Sequence, residues 1–123
     1  MIRMTTKRKK VYSVFENSNK PINAENILDV LGDENINLST IYRSIEYFLN
    51  NNLLLSFHFN NKTYYILNNE GNHYHYFICT NCLFMKKINC NMNPIIKKLE
   101  DENNFLITNH EMNVYGLCNS CNI

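Results

Sequence analysis

The strongest constraint on this chain is a pair of C-x-x-C motifs, Cys79-Thr80-Asn81-Cys82 and Cys118-Asn119-Ser120-Cys121, separated by 35 residues. Two thiolates at that spacing can face one ion from a tight turn, and two such pairs complete a tetrahedral zinc site. The interval is longer than in a typical zinc ribbon, so one ion would pin the second pair back onto an earlier strand. Cys79, Cys82, Cys118 and Cys121 are therefore the candidate ligands of a structural Zn2+. Three of the four histidines crowd around them: His73 and His75 before the first pair, His110 before the second.

A chain of 123 residues is one ordinary domain or two very small ones. If it is two, neither buries much apolar surface alone, and a metal staple or dimerisation is expected to help. No apolar run approaches the length of a membrane span, and no charged-then-apolar leader is present. The expectation is a soluble, cytoplasmic protein with no membrane partner. In a reducing cytosol, paired cysteines are better explained by metal than by disulfides. The net charge of +1 does not by itself suggest nucleic acid, but residues 1–20 carry Arg3, Lys7, Arg8, Lys9, Lys10 and Lys20 against Glu16 alone. A basic arm of this kind suits DNA, and equally a solvated N-terminal segment. Asparagine is abundant and evenly spread, as whole-proteome bias would leave it.

The first half reads as three helices and a hairpin. Val11, Val14 and Phe15 give a first helix from Thr6 to near Asn17, and Pro21 breaks the chain. Asn23 caps a second helix carrying Ile27, Leu28, Val30 and Leu31, which Gly32 stops. Asp33 to Asn37 forms a turn, and Ser39 or a neighbour caps a third helix with Ile41, Ile45, Phe48 and Leu49 inward. Its other face carries Thr40, Tyr42, Arg43, Glu46 and Tyr47, with Tyr and Arg near the N-terminal end, where phosphates and base edges would be met in a major groove. Alternation then gives a hairpin, with Leu53, Leu55, Phe57 and Phe59 before a turn at Asn60-Asn61-Lys62 and Thr63, Tyr65 and Leu67 after it. Three helices followed by a hairpin make a winged helix-turn-helix; a small α+β fold with no DNA role has the same pattern.

The second half reads as an α/β module. Tyr74–Ile78 and Leu83–Ile88 are strands flanking the first cysteine knuckle, and Asn93-Pro94 starts a helix with the cap at Asn93. Ile95, Ile96 and Leu99 give that helix an apolar side. Phe105–Thr108 and Met112–Tyr115 read as further strands. The boundary falls at Asn68 to Asn72, giving a winged-helix domain over 1–70 and a metal-binding domain over 71–123.

Ser39-Thr40-Ile41-Tyr42-Arg43, a wing, His-x-His before a C-x-x-C, and His110 followed by Tyr115-Gly116-Leu117-Cys118-x-x-Cys121 together resemble the ferric uptake regulator superfamily. The likeness runs in order along nearly the whole chain from Thr6-Lys7-Arg8. It implies an α+β protein, a winged helix-turn-helix followed by a small α/β dimerisation domain stapled by a four-cysteine zinc site. It also implies a dimeric, metal-responsive repressor, not an enzyme, that binds a double-stranded DNA operator and has no small-molecule substrate. Thr40, Tyr42 and Arg43 would face DNA, with Arg8 and Lys9 from the first helix.

Several positions depart from the family pattern. Leu83 follows the first cysteine pair where glycine is usual, and Lys87 stands where a carboxylate ligand is common. Pro21 and Ile66 or Leu67 occupy the places of further iron- or peroxide-type ligands. What remains is every histidine in the chain: His58 on the wing, His73, His75 and His110. This set is most similar to zinc-sensing members, in which a second ion bridges wing and dimerisation domain. Imidazoles suit Zn2+ and also Ni2+, Co2+ or Cu2+, whereas Fe2+ sensors more often include carboxylates, so Zn2+ is favoured over Fe2+, Ni2+ or Mn2+. Cys90 and Glu111 are further candidate ligands; Cys90 also suits a half-buried apolar position and Glu111 a solvated one. The expected function is regulation of metal-uptake or metal-homeostasis genes, with zinc favoured as the signal. An iron- or peroxide-responsive member, or a DNA-binding module with structural zinc and no sensor, are the alternatives. A thiol–disulfide oxidoreductase lacks the strand-to-helix setting of its motif, and a metal hydrolase lacks a carboxylate placed as base beside the histidines.

Overall fold

The computed structural model describes residues 3–69 and 74–123. In chain order these form α1 (Thr6–Glu16), α2 (Ala24–Leu31), α3 (Leu38–Asn50), β1 (Leu54–Phe59), β2 (Lys62–Leu67), β3 (His75–Cys79), β4 (Met85–Ile88), α4 (Asn93–Asn103) and β5 (Asn113–Gly116). The chain divides into two compact units, Met1–Gly71 and Asn72–Ile123. Among the described residues no helix is long and apolar enough to cross a membrane.

Short polar side chains start each helix of the first unit. The Thr5 hydroxyl accepts from the Arg8 amide, and Asn23 and Asn26 cap reciprocally, each side-chain oxygen accepting the other's backbone N–H at 2.8 and 2.9 Å. Helix α2 stops at Leu31 with Gly32 as its C-cap, as the sequence suggests. The Gly32 backbone is right-handed helical, the chain tightens into a 3-10 turn over Gly32–Glu34, and Asn35 ends it at a φ of 60°. Asn37, two residues ahead of Ser39, caps α3 by accepting from the Thr40 amide at 2.9 Å.

The apolar faces of these helices converge on one core of Val11, Phe15, Ala24, Ile27, Leu31, Ile36, Ile41, Ile45, Phe48, Leu54 and Tyr65. Phe48 sits at its centre, fully buried, with the rings of Tyr12, Phe15 and Tyr47 edge-on at 5.4, 6.5 and 6.3 Å. The hairpin turns through two residues, Asn60 and Asn61, both with positive φ, so its twist matches that of the strands and Lys62 begins β2. Leu54, Phe57 and Phe59 are the buried residues of β1, while Leu53 and Leu55 are half-buried. The alternation slips by one at Leu54 because this residue closes the core as the chain leaves α3. Ile22 exchanges backbone hydrogen bonds of 2.9 and 2.7 Å with Tyr65, fastening the hairpin to the α1–α2 connection. These are the parts of a winged helix.

In the second unit β3 is the middle strand, antiparallel to β4 and parallel to β5. Parallel neighbours need a crossover, and β4 with α4 supplies it. Asn93 lies inside α4 and is not its cap; the Ile96 amide bonds the Met92 carbonyl at 2.9 Å, with Pro94 in the first turn, where its missing N–H costs nothing. The β4 strand begins at Met85, because Cys82 to Phe84 are spent on the knuckle turn. Phe105–Thr108 is not a strand. Its Ile107 amide bonds the Glu100 carboxylate at 3.1 Å, and Phe105 and Leu106 are 56% and 85% exposed, so the apolar run has no buried face to alternate against. Helix α4 buries no residue, and among the described residues of this unit the buried side chains are His75, Tyr76, Ile78, Cys79 and Cys118. A core this thin needs other support.

Phe48→Ala is expected to destabilise the first unit by about 3–5 kcal/mol, the usual cost of emptying a core aromatic site. Urea unfolding of the full chain followed by circular dichroism measures it; a cost under about 1 kcal/mol, typical of a surface substitution, would contradict a centre at Phe48.

Candidate metal centres and nucleic-acid face

The parallel pairing of β3 with β5 brings the two cysteine pairs together. Cys79 ends β3 opposite Gly116, which ends β5, so both C-x-x-C segments leave the same end of the sheet. The four sulfurs lie within 4.8 Å of one another, with Cys82 Sγ and Cys118 Sγ 3.7 Å apart. Thiolates around one tetrahedral zinc, with Zn–S bonds of about 2.3 Å, stand about 3.8 Å apart, far beyond a disulfide's S–S bond. The donor set and its spacing fit zinc.

Local bonds hold the knuckles in place. The Cys79 amide bonds the Phe84 carbonyl at 2.8 Å and the Leu83 amide bonds the Cys79 carbonyl at 2.9 Å. Thr80 donates from both its amide and its hydroxyl to the Gly116 carbonyl, at 2.8 and 3.3 Å. Leu83 turns the chain at a φ of 66°, a left-handed backbone that costs a leucine on the order of 1 kcal/mol where glycine would pay no steric penalty. The Asn81 amide donates to Cys121 Sγ at 3.2 Å, a cross-link between the knuckles. Nothing in the sequence marks Asn81 beyond its place inside a C-x-x-C.

The thiols do not ionise alike. Cys79 is held down to about 6, first by the Cys82 backbone N–H and then by that of Cys118, against the opposing effect of burial. Cys121 is pushed up to about 11: the Asn81 amide lowers it, but the Cys118 side chain, burial and the side chains of Cys79 and Cys82 outweigh that. The Cys79 thiolate forms readily, whereas Cys121 resists a second charge. A cation between them removes that conflict.

A second group forms at the opposite end of the same sheet. His75 begins β3, Cys90 lies two residues past the end of β4, and His110 precedes β5. Their donor atoms all fall within 4.8 Å of one another. Cys90 Sγ is 3.2 Å from His110 Nε2, and the two imidazoles are 5.2 Å apart at a tilt of 47°. His75 is buried at 2% exposure, while Cys90 and His110 are half-buried. Two imidazoles and a thiol at this separation also fit a metal ion.

The remaining candidates fall elsewhere. Glu111 is exposed and is not among the grouped donors. His58 belongs to the first unit, exposed on β1, with Nδ1 3.0 Å from the Thr63 hydroxyl. His73 lies outside the described residues. Lys87, at the position where the family pattern often has a carboxylate, carries its ammonium 4.7 Å over the Tyr74 ring.

On the first unit, Tyr42 and Arg43 are exposed near the start of α3 and Thr40 is half-buried. A cleft of about 210 Å³ beside Tyr42 is lined by Asn23, Glu25, Asn61, Lys62, Thr63 and Tyr65, so α3 and the wing turn share one face. Burial, with Tyr42 and Glu25 adding to it, raises the Tyr65 phenol above its ordinary range, keeping it neutral there. Lys9 is exposed and Arg8 is half-buried. Its guanidinium stacks 3.8 Å over the Tyr47 ring and donates to the Arg3 carbonyl at 3.0 Å, while the Tyr47 hydroxyl accepts from the Arg3 amide.

Comparison with known proteins agrees with this arrangement. The ferric uptake regulator family model matches residues 1–115. The ferric uptake regulation protein of Staphylococcus aureus is 32% identical over 124 residues, covering 98% of this chain and 88% of that protein. A ferric uptake regulator from Francisella tularensis, solved with iron, superposes with a TM-score of 0.77 at 21% identity, over 97% of this chain and 93% of that one. A zinc uptake regulator complexed with zinc and DNA does so with a TM-score of 0.74 at 22% identity, over 97% and 83%. The chain belongs to the ferric uptake regulator family and is a metal-responsive transcriptional regulator, not an enzyme.

Proposed function

We propose that this regulator represses metal-uptake or metal-homeostasis genes in response to a divalent cation held at His75 and His110, with zinc favoured over Fe2+, Ni2+ or Mn2+. The observation that carries the reading is the pairing of two chemically different donor groups at the two ends of β3. Cys79, Cys82, Cys118 and Cys121 form the structural zinc site: four thiolates leave no open position, so this site holds the sheet together under all conditions. The half-buried His110 side is open enough to gain and lose an ion. Imidazole donors favour zinc over manganese, and no carboxylate joins the group among the described residues.

Tyr42 and Arg43, with Thr40 behind them, read the operator from α3, and Lys9 meets the phosphate backbone. Arg8 acts indirectly, by fixing Tyr47 and so the seat of α1 against α3. A second copy of the chain pairs through the apolar side chains left outside on α4 and β5, Ile95, Leu99, Val114 and Tyr115. Two recognition helices in such a dimer suit two half-sites, and the coupling that links ion to operator needs only about 1–3 kcal/mol.

Elemental analysis before and after mild chelation tests the two centres. About two ions per chain are expected, one zinc that resists the chelator and one ion that is lost. A single resistant zinc with no further uptake would leave a DNA-binding protein without a sensor. Replacing His75 and His110 by alanine is expected to abolish metal-dependent operator binding while the resistant zinc stays; metal dependence unchanged in that variant would refute their sensing role. Arg43→Ala is expected to weaken operator binding by about 1–3 kcal/mol, measured by fluorescence anisotropy at fixed salt, with metal content unaltered.

A further inference from the structure

We infer that Cys90 is itself a ligand of the second centre, which makes that centre a two-imidazole, one-thiolate site for a thiophilic divalent cation of the zinc class. This rests on the reading above that His75 and His110 hold an ion, and it adds the donor that sets which ions are accepted.

The placement comes from the ladder. His75 stands opposite Ile88 in the β3–β4 register, so Cys90, two residues on, emerges beside His75. His110 arrives from the far side of the sheet, three residues before β5. The result is Cys90 Sγ at 3.2 Å from His110 Nε2, with all three donors inside 4.8 Å. A cysteine kept only as a small apolar residue would turn its sulfur into a core. Cys90 is half-buried instead, with its sulfur against an imidazole nitrogen, and the apolar core of the chain lies in the other unit.

The donor chemistry then selects. Thiolate suits zinc, cobalt and copper, whereas Mn2+ favours oxygen donors, and none of the grouped donors is a carboxylate. Binding replaces the Cys90 S–H bond with a metal–sulfur bond, and the proton leaves to solvent. No electron is transferred. The three donors belong to one unit, so a thiophilic ion finds them without a donor from the wing.

The test keeps zinc in the four-cysteine site, where it is spectroscopically silent, and titrates the reduced full-length chain with Co2+. The native chain is expected to take one equivalent with intense near-ultraviolet thiolate-to-cobalt charge transfer, while elemental analysis shows the zinc retained. Cys90→Ser is expected to lose that band, retain zinc and still bind cobalt more weakly. Added Zn2+ should displace the cobalt, and equal Mn2+ should not. Cobalt bound without charge transfer, or a band unchanged in Cys90→Ser, would overturn the role of Cys90 and leave an imidazole site standing. A band that rises only as zinc is released would also overturn it, since the sulfurs reporting would be those of the other site. No cobalt uptake at all would overturn both this assignment and the sensing reading on which it rests.

Discussion

The parallel pairing of β3 with β5 is the contact on which the second unit depends. It sets Cys79 against Gly116 at one end and brings His110 toward His75 at the other. Neither group of donors is local in sequence: 35 residues lie between the cysteine pairs, and His110 is 20 positions after Cys90. Closing a loop of that length costs about 3 kcal/mol, and four-residue ladders on a thinly buried sheet offer little against it. A structural zinc in a small domain contributes on the order of 10 kcal/mol or more. An ion at the four sulfurs would outweigh that closure, and the same pairing of β3 with β5 brings the second group of donors together.

The two units solve stability in different ways. The first has an ordinary core, in which three helices close around Phe48 and the hairpin is fastened through Ile22 and Tyr65. The second leaves its apolar residues outside: Ile95 and Leu99 on α4, Phe105 and Leu106 after it, Val114 and Tyr115 on β5. Apolar residues in such numbers on one small unit exceed what a surface needs, and they accord with a family whose regulators act as dimers. Metal and partner would replace the core that 52 residues do not supply.

Periodicity makes the helices readable. Ile41, Ile45 and Phe48 fall on the buried side of α3, and the asparagine cap of α2 sits where the pattern starts. Helix ends are harder to read, because one residue type can serve either end. Gly32 caps α2 as expected, but in a right-handed backbone, so the chain runs on into a 3-10 turn that Asn35 ends. With only three glycines in the chain, asparagine takes the left-handed positions at 35, 52, 60, 61 and 104. Asparagine tolerates that conformation better than most side chains, so an abundance that resembles compositional bias has a backbone use. Phe105–Thr108 alternates like a strand, but alternation predicts a strand only where one face is covered. The cysteine pairs are legible because their spacing is local. The proximity of Cys90 to His110 is not, because it exists only once the β4–α4 crossover has brought β5 beside β3.

Charge separates the roles of the two donor groups. Four thiolates around a dication leave two negative charges, which is stable only where N–H groups point at the sulfurs. The Cys82 amide and the Asn81 side chain do so here. Two neutral imidazoles and one thiolate around the same ion leave one positive charge, with fewer bonds to break and two of the three donors half-buried. Lys87 adds no oxygen donor to this unit; its ammonium lies over the Tyr74 ring. An ion at the second group would therefore be held less tightly than one among four thiolates.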